Sequence, residues 1–222
     1  MNLKLLIKTW IRFMFSKKIQ KKNSRFFLSR FIIPPENDIK VINSKISRSK
    51  IIVTGEGNCI DLEVVINKCT IDIEGKNNLI ISRKGSQLNS LYISIVGDGC
   101  VIDIGENVLF HSGFIHSGGK ERVIKIGDNC LFAHDVDIMN SDSHKILLAG
   151  KEINYPKDVI IGKHVWIGAH VSILKGVVIG DNSIVGTRSV VTKDIVSSSL
   201  NVGNPCYMIK DNIDWSIERN SI

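Results

Sequence analysis

From Ile161 to Val191 an aliphatic residue falls at every sixth position: Ile161, Ile167, Ile173, Ile179, Val185 and Val191. Glycine follows four of them, at Gly162, Gly168, Gly180 and Gly186. Two positions ahead of each aliphatic from Ile167 onward stands a small or β-branched residue: Val165, Val171, Val177, Ser183 and Ser189. A helix cannot use this period, because successive apolar side chains would land about 240° apart around its axis. Short strands joined by tight corners can. Each strand points its aliphatic and its small residue inward, and Gly or Asn is expected to take left-handed backbone geometry at the corner. Three such strands close a triangular coil, and stacked coils bond at the usual strand spacing of about 4.8 Å. The pattern predicts a parallel β-helix, open only at its two ends.

The same beat precedes this stretch as Ile126-Gly127, Phe132 and Ile138, and earlier as Ile104-Gly105 and Phe110. Between residues 41 and 100 it loosens into "GEGNCIDL", "GKNNLIIS" and "GDGCVIDIG", which read as degenerate coils of one solenoid. At "MNSDSHKI", residues 139–146, the beat stops and a polar loop begins. A loop that leaves a rigid rod reaches over the groove beside it while the rod holds its base still.

The first residues follow another period. In "MNLKLLIKTWIRFMFSKKIQKK", Lys4, Lys8 and Arg12 form a basic stripe opposite Leu3, Leu6, Ile7, Trp10, Phe13 and Met14, the pattern of an amphipathic helix. Such a helix suits the surface of an anionic membrane, or packing on the protein's own body or a neighbouring subunit. Pro34-Pro35 ends it. The expected organisation is a basic amphipathic segment over residues 1–35, a solenoid domain over 36–210 with its loop at 139–160, and a tail over 211–222.

Charge sharpens this division. The 222-residue chain carries a formal +7, yet residues 1–35 hold nine Lys or Arg and no Asp or Glu, which leaves the rest at −2. The body is not basic, so nucleic acid is not an expected partner. The five cysteines (Cys59, Cys69, Cys100, Cys130 and Cys206) are odd in number and form no CxxC pair, so thiols used as packing in a reducing cytoplasm are expected rather than a disulfide framework. No apolar run approaches the roughly 20 residues of a membrane span, and no secretory signal is read at the start.

"IGKHVWIGAHVSILKGVVIGDNSIVGTRSVVTKDI", closing in "VGNPCYMIK", resembles the hexapeptide-repeat acyltransferases, and within them the bacterial polysaccharide O-acetyltransferases. The Asp-Ser-His loop, His-Val-Trp-Ile-Gly and a late Trp-x-x-x-Arg, here Trp215 to Arg219, carry the likeness. The resemblance implies a left-handed β-helix, against the usual right-handed crossover rule, and a homotrimer with active sites between subunits. It implies acetyl-CoA as acyl donor, a glycan or sugar as acceptor, and a cytoplasmic protein. A peripheral place at the inner membrane face through residues 1–22 fits this work.

In that reading His144 is the catalytic base, taking a proton from a sugar hydroxyl near neutral pH. Asp142 is the nearest candidate to fix its tautomer, though a backbone carbonyl would serve as well, and a backbone N–H around Gly168 would meet the oxyanion. Trp166 lies between the inward Val165 and Ile167, so it points outward, either as a wall of the active-site groove or into a trimer interface. Acetyl-CoA is expected along the late coils, with Ala169 and Thr187 as backbone partners, Thr192 and Lys193 matching a Thr-Lys pair, Lys210 after the "GNP" turn and Lys163 as a looser match. Arg188 departs from the family, which commonly has Gly there.

His111 and His116 repeat a spacing of the γ-class carbonic anhydrases, but zinc needs a third protein ligand and no histidine precedes His111. No metal is therefore expected. The alternatives to a polysaccharide O-acetyltransferase are an acetyltransferase for a small soluble acceptor and a non-catalytic trimeric β-helix scaffold.

Overall fold

The computed structural model describes residues 19–218, all of whose regular elements are strands. They form eight triangular coils of a parallel solenoid, followed by a partial ninth. The sixth coil shows the pattern: Val123–Ile126 on one face, Leu131–Phe132 on the second and Val136–Met139 on the third. The seventh repeats it as Val159–Ile161, Trp166–Ile167 and Ser172–Ile173, directly in register above.

The sequence beat is a stack. On the second face Ile46, Ile66, Leu88, Phe110, Phe132, Ile167 and Val185 sit over one another in successive coils. All are buried to 1% exposure or less. Phe110 and Phe132 lie face to face, their rings 4.6 Å apart. Ile51, Ile71, Ile93, Ile115, Ile138, Ile173 and Val191 form the matching column on the third face. The small residues ahead of the aliphatics are buried too; Ser183 and Ser189 donate to the carbonyls of Gly180 and Gly186 at 2.8 and 2.7 Å, which satisfies their hydroxyls inside the rod. Farther up, Asn37, Asn58 and Asn78 form a buried ladder, each amide donating to the carbonyl oxygen of the one before at 2.9 and 3.0 Å. That ladder accounts for part of the asparagine of the loose coils, and left-handed corners at Asn23, Asn43 and Asn77 for more.

Three expectations need correction. The solenoid does not wait for residue 36: Ile19–Lys22, Arg25–Phe27 and Arg30–Ile32 already form the first coil, paired in parallel with the second. Residues 19–22 are therefore strand rather than the end of an amphipathic helix, and Pro34-Pro35 connects two coils. The helix expected before them falls on residues 1–18, outside the described residues. The corner glycines also have another purpose. Asn and Gly do take left-handed corners at Asn77, Asn107, Asn129, Gly176 and Asn182, but in the late coils His164 (φ 54°), His170 (58°) and Arg188 (62°) take others, and the glycines that follow the aliphatics do not. Gly168 and Gly162 are needed for close approach instead, because an added Cβ would lie 2.7 Å from the Thr187 nitrogen and 2.3 Å from Asp181 Oδ1. Arg188 thus occupies the strained corner where glycine would be free of cost.

All five cysteines are free thiols, and Cys69, Cys100 and Cys130 are buried in the core as packing groups. Burial pushes Cys69 up to about 11 and Cys130 up to about 12. The rod ends in Leu200–Val202 with Tyr207–Lys210 folded antiparallel along it, and the tail then crosses the second face, where Ile213 donates to the Ser198 carbonyl at 3.0 Å.

Candidate active site

The loop leaves the third face after Met139 and returns to the first at Val159. Its root is Asn140, fully buried, whose side chain donates to Ser117 Oγ at 2.9 Å and accepts from the Gly118 N–H at 2.7 Å. Gly118 lets the loop lie against the rod, since a Cβ there would come within 3.0 Å of the Ser141 Cβ. The tip is a two-stranded hairpin, Leu147–Leu148 with Lys151–Glu152. Its turn residues Ala149 and Gly150 both have positive φ, the geometry that matches the strand twist of a tight hairpin.

Asn154 ties the two halves of the loop together. Its amide donates to Asp142 Oδ2 at 2.7 Å and to the His144 carbonyl at 2.8 Å, and its oxygen accepts from the Ile146 N–H at 2.6 Å. Lys175, from the next coil, donates to the Asp142 carboxylate and to the Asn154 carbonyl, the latter at 3.1 Å. The peptide on both sides of His144 is therefore fixed, while its side chain is exposed and lines a cavity of about 250 Å³. Among the described residues no hydrogen bond engages the His144 ring.

Asp142 does not orient that ring. The Lys175 ammonium, with Asn154, takes its carboxylate and holds it below the usual aspartate range, so it stays ionised as a loop anchor. The Gly168 N–H is likewise committed, to the Val185 carbonyl at 2.8 Å, so any oxyanion donor of that corner is a neighbouring N–H. His116 shares the cavity with His144. It projects outward from Gly113–Lys120 on the third face, lies under the loop at 8% exposure, and meets Ser143 Oγ at 3.3 Å. Burial pushes its imidazole below the ordinary histidine range. Sequence reasoning noticed His116 only for its distance from His111, which lies on the second face against His134. The signal for its position was the coil register, which sets it beside Met139 at the loop's base.

Trp166 points outward as its alternation requires, 39% exposed between Leu131 and Ile184. The tail covers part of it. Trp215 stacks on His164 at 4.4 Å, donates its indole N–H to the His164 carbonyl at 2.7 Å and lies 5.9 Å from the Trp166 ring. Within one chain Trp166 and His144 belong to different faces and line different cavities.

The expected acetyl-CoA residues divide among three corners of the rod. Ala169 and Thr187 stack at one, where the backbone N–H of Arg188 donates to the Ala169 carbonyl at 2.8 Å. Thr192 and Lys193 lie at the next, exposed. Lys163 is at the third, its ammonium 2.9 Å from Asp128 Oδ2, and Lys210 is on the terminal strand.

Comparison with known proteins fits this architecture. Residues 158–193 match the bacterial transferase hexapeptide family (six repeats). The chain is 42% identical over 120 residues to a polysialic acid O-acetyltransferase of Escherichia coli O1:K1 / APEC, covering 53% of this chain and 39% of that one. It is 32% identical over 136 residues to a polysialic acid O-acetyltransferase of Neisseria meningitidis, covering 58% and 61%. These matches span less than two thirds of the length of either curated relative. Among solved structures, the polySia-specific acetyltransferase NeuO superposes with a TM-score of 0.70 at 30% identity, over 92% of this chain and 91% of that one. The polysialic acid O-acetyltransferase OatWY gives 0.64 at 26%, over 90% and 92%. The chain belongs to the hexapeptide-repeat acyltransferase family, and its fold is the left-handed parallel β-helix of that family.

Proposed function

We propose that the chain is an O-acetyltransferase that moves acetyl from acetyl-CoA to a sugar hydroxyl of a bacterial capsular or other surface polysaccharide, or its precursor, with His144 as general base. The observation that carries this reading is an imidazole on a peptide fixed from both sides, its ring exposed at a cavity and bonded to nothing among the described residues. Both curated relatives are polysialic acid O-acetyltransferases. A neutral imidazole accepts the hydroxyl proton as the sugar oxygen attacks the thioester carbonyl, and then passes it to the departing thiolate. Burial raises the thiols of Cys59, Cys69, Cys130 and Cys206 above the ordinary cysteine value, which disfavours a thiolate nucleophile and supports direct attack by the sugar oxygen. Transfer is direct.

Coenzyme A phosphates suit the late coils, where Arg188, Lys193 and Lys210 have no ion-pair partner among the described residues, whereas Lys163 is occupied by Asp128. The site is completed between copies in a homotrimer, Trp166 of one copy facing His144 of the next. Ile146, Leu147 and Leu148, 53–66% exposed on the hairpin, are the apolar arm that a second copy would cover. The cationic amphipathic sequence read in residues 1–22, in its part ahead of the strand at Ile19, supports a cytoplasmic protein resting on the inner membrane face.

The test is His144→Ala, assayed by thiol release from acetyl-CoA with polysialic acid as acceptor. Turnover should fall by about 10²–10⁴-fold while the melting temperature stays unchanged. Wild-type turnover in the folded variant would end the proposal.

A further inference from the structure

The reaction just described leaves His116 without a task, although its ring is packed against the loop that carries the reacting histidine. We infer that His116 and Ser143 form a positioning pair, in which a ring fixed on the rod grips the Ser143 hydroxyl and so aims the adjoining His144 imidazole. The inference rests on His144 being the reacting group.

The loop is held at successive points, and the pair fills the gap between them. Asn140 roots it, and Asn154 grips residues 142, 144 and 146. At residue 143 the side-chain contact to the rod is Ser143 Oγ to His116 Nε2, at 3.3 Å. Ser143 stands at φ 62°, a left-handed conformation uncommon for a residue with a Cβ, which the solenoid otherwise uses at its corners, as at Ser90 and Ser198. The opposite end of the contact is rigid. The His116 ring stacks on Phe114 at 5.7 Å with planes 19° apart, and Phe114 packs on Tyr92 at 5.4 Å. Strand register holds all three, with Phe114 beside Tyr92 and His116 beside Ser94. A buried neutral imidazole offers one donor and one acceptor, so it bonds a hydroxyl whichever tautomer it adopts. Rotating the Ser143 peptide swings the Cα–Cβ bond of His144, and misplacement of a catalytic group by about 1 Å costs up to about 10² in rate.

The test compares His116→Phe, which keeps the stack and the burial but removes the nitrogen, with His116→Gln, which keeps a hydrogen-bonding end. With acetyl-CoA and polysialic acid, His116→Phe should lose about tenfold in kcat with KM unchanged, equivalent to about 1.4 kcal/mol. His116→Gln should recover most of it. Ser143→Ala should lose as much as His116→Phe, and the double variant no more than either, because both remove one contact. The His144 ring resonance, followed by NMR, should shift and broaden in His116→Phe and Ser143→Ala alike. Full kcat in His116→Phe, losses that multiply in the double variant, or an unmoved His144 resonance would each overturn the inference. Absence of acetyl transfer in the wild type would instead remove the functional reading, and the resonance would still decide whether the pair holds the ring.

Discussion

Replacing Asn154 with alanine tests whether the loop is held by its own polar staple or by the rod alone. The side chain makes three hydrogen bonds, to Asp142 Oδ2, the His144 carbonyl and the Ile146 N–H, at 2.7, 2.8 and 2.6 Å. All three lie near solvent, so each is worth the lower part of the usual range, about 0.7 kcal/mol, or about 2 kcal/mol together. At about 1.4 kcal/mol per decade, the opened loop should become about thirtyfold more populated. None of these atoms belongs to the stacked core, so the melting temperature should stay within about 2 °C of wild type. The reporter is the Ile153 amide, which bonds the Ile146 carbonyl at 3.0 Å within the hairpin and does not touch the Asn154 side chain. Its hydrogen exchange should accelerate about thirtyfold, as should that of the His144 amide, while amides in Val136–Met139 keep their protection. Asn154→Asp should be worse than alanine, since it sets a second carboxylate against Asp142. Unchanged exchange at Ile153, or acceleration spread through the rod, would refute the staple and leave the loop's order to packing.

Two further outcomes follow from the core and from His116. Phe132→Ala removes one ring of the stacked Phe110–Phe132 pair from a fully buried site and should cost about 3–5 kcal/mol in denaturant unfolding, with a cooperative transition retained. His116 is buried neutral, its pKa held low by desolvation, so the unfolded chain binds a proton more readily than the folded one. Its contribution is complete above the ordinary histidine value of about 6.5 and declines as the pH falls below it. His144, Lys145 and Glu152 face the same cavity, while the flanking strands contribute Ser94, Val96 and Met139. Melting curves between pH 7 and pH 5 should therefore fall more steeply for wild type than for His116→Gln.

The six-residue period determined the architecture because it permits so few solutions. An aliphatic at each sixth place can be buried every time only if the chain turns through a third of a circle between them, and every member of the series from Ile161 to Val191 is buried. The same alternation placed Trp166 outside. Where the period blurs, as before residue 41, the coils were not legible, and the strands from Ile19 to Ile32 passed for the end of a helix and a linker. Their basic and aromatic residues fit either period over so short a span. The glycines after the repeat's aliphatics, which unlike Gly176 are not left-handed corners, were misread for a related reason: a sequence shows that no side chain is present, and only the packing of neighbouring coils shows whether φ or space demanded it.

His144 stood out in the sequence because it interrupts a pattern, and the loop's start at Met139 was set by the last regular strand. Its surroundings were not legible. Asp142 was the nearest carboxylate along the chain, yet Lys175, 33 residues on, claims it because the next coil brings that ammonium beneath the loop. His116 reaches Ser143 across 27 residues for the same reason. In a solenoid each residue's neighbours lie one coil away, and insertions change that distance from coil to coil. The sequence therefore decided the rod and the residue that leaves it, through periodic burial acting locally. Which groups hold that residue was decided by stacking, which brings distant positions together only after the coils have closed.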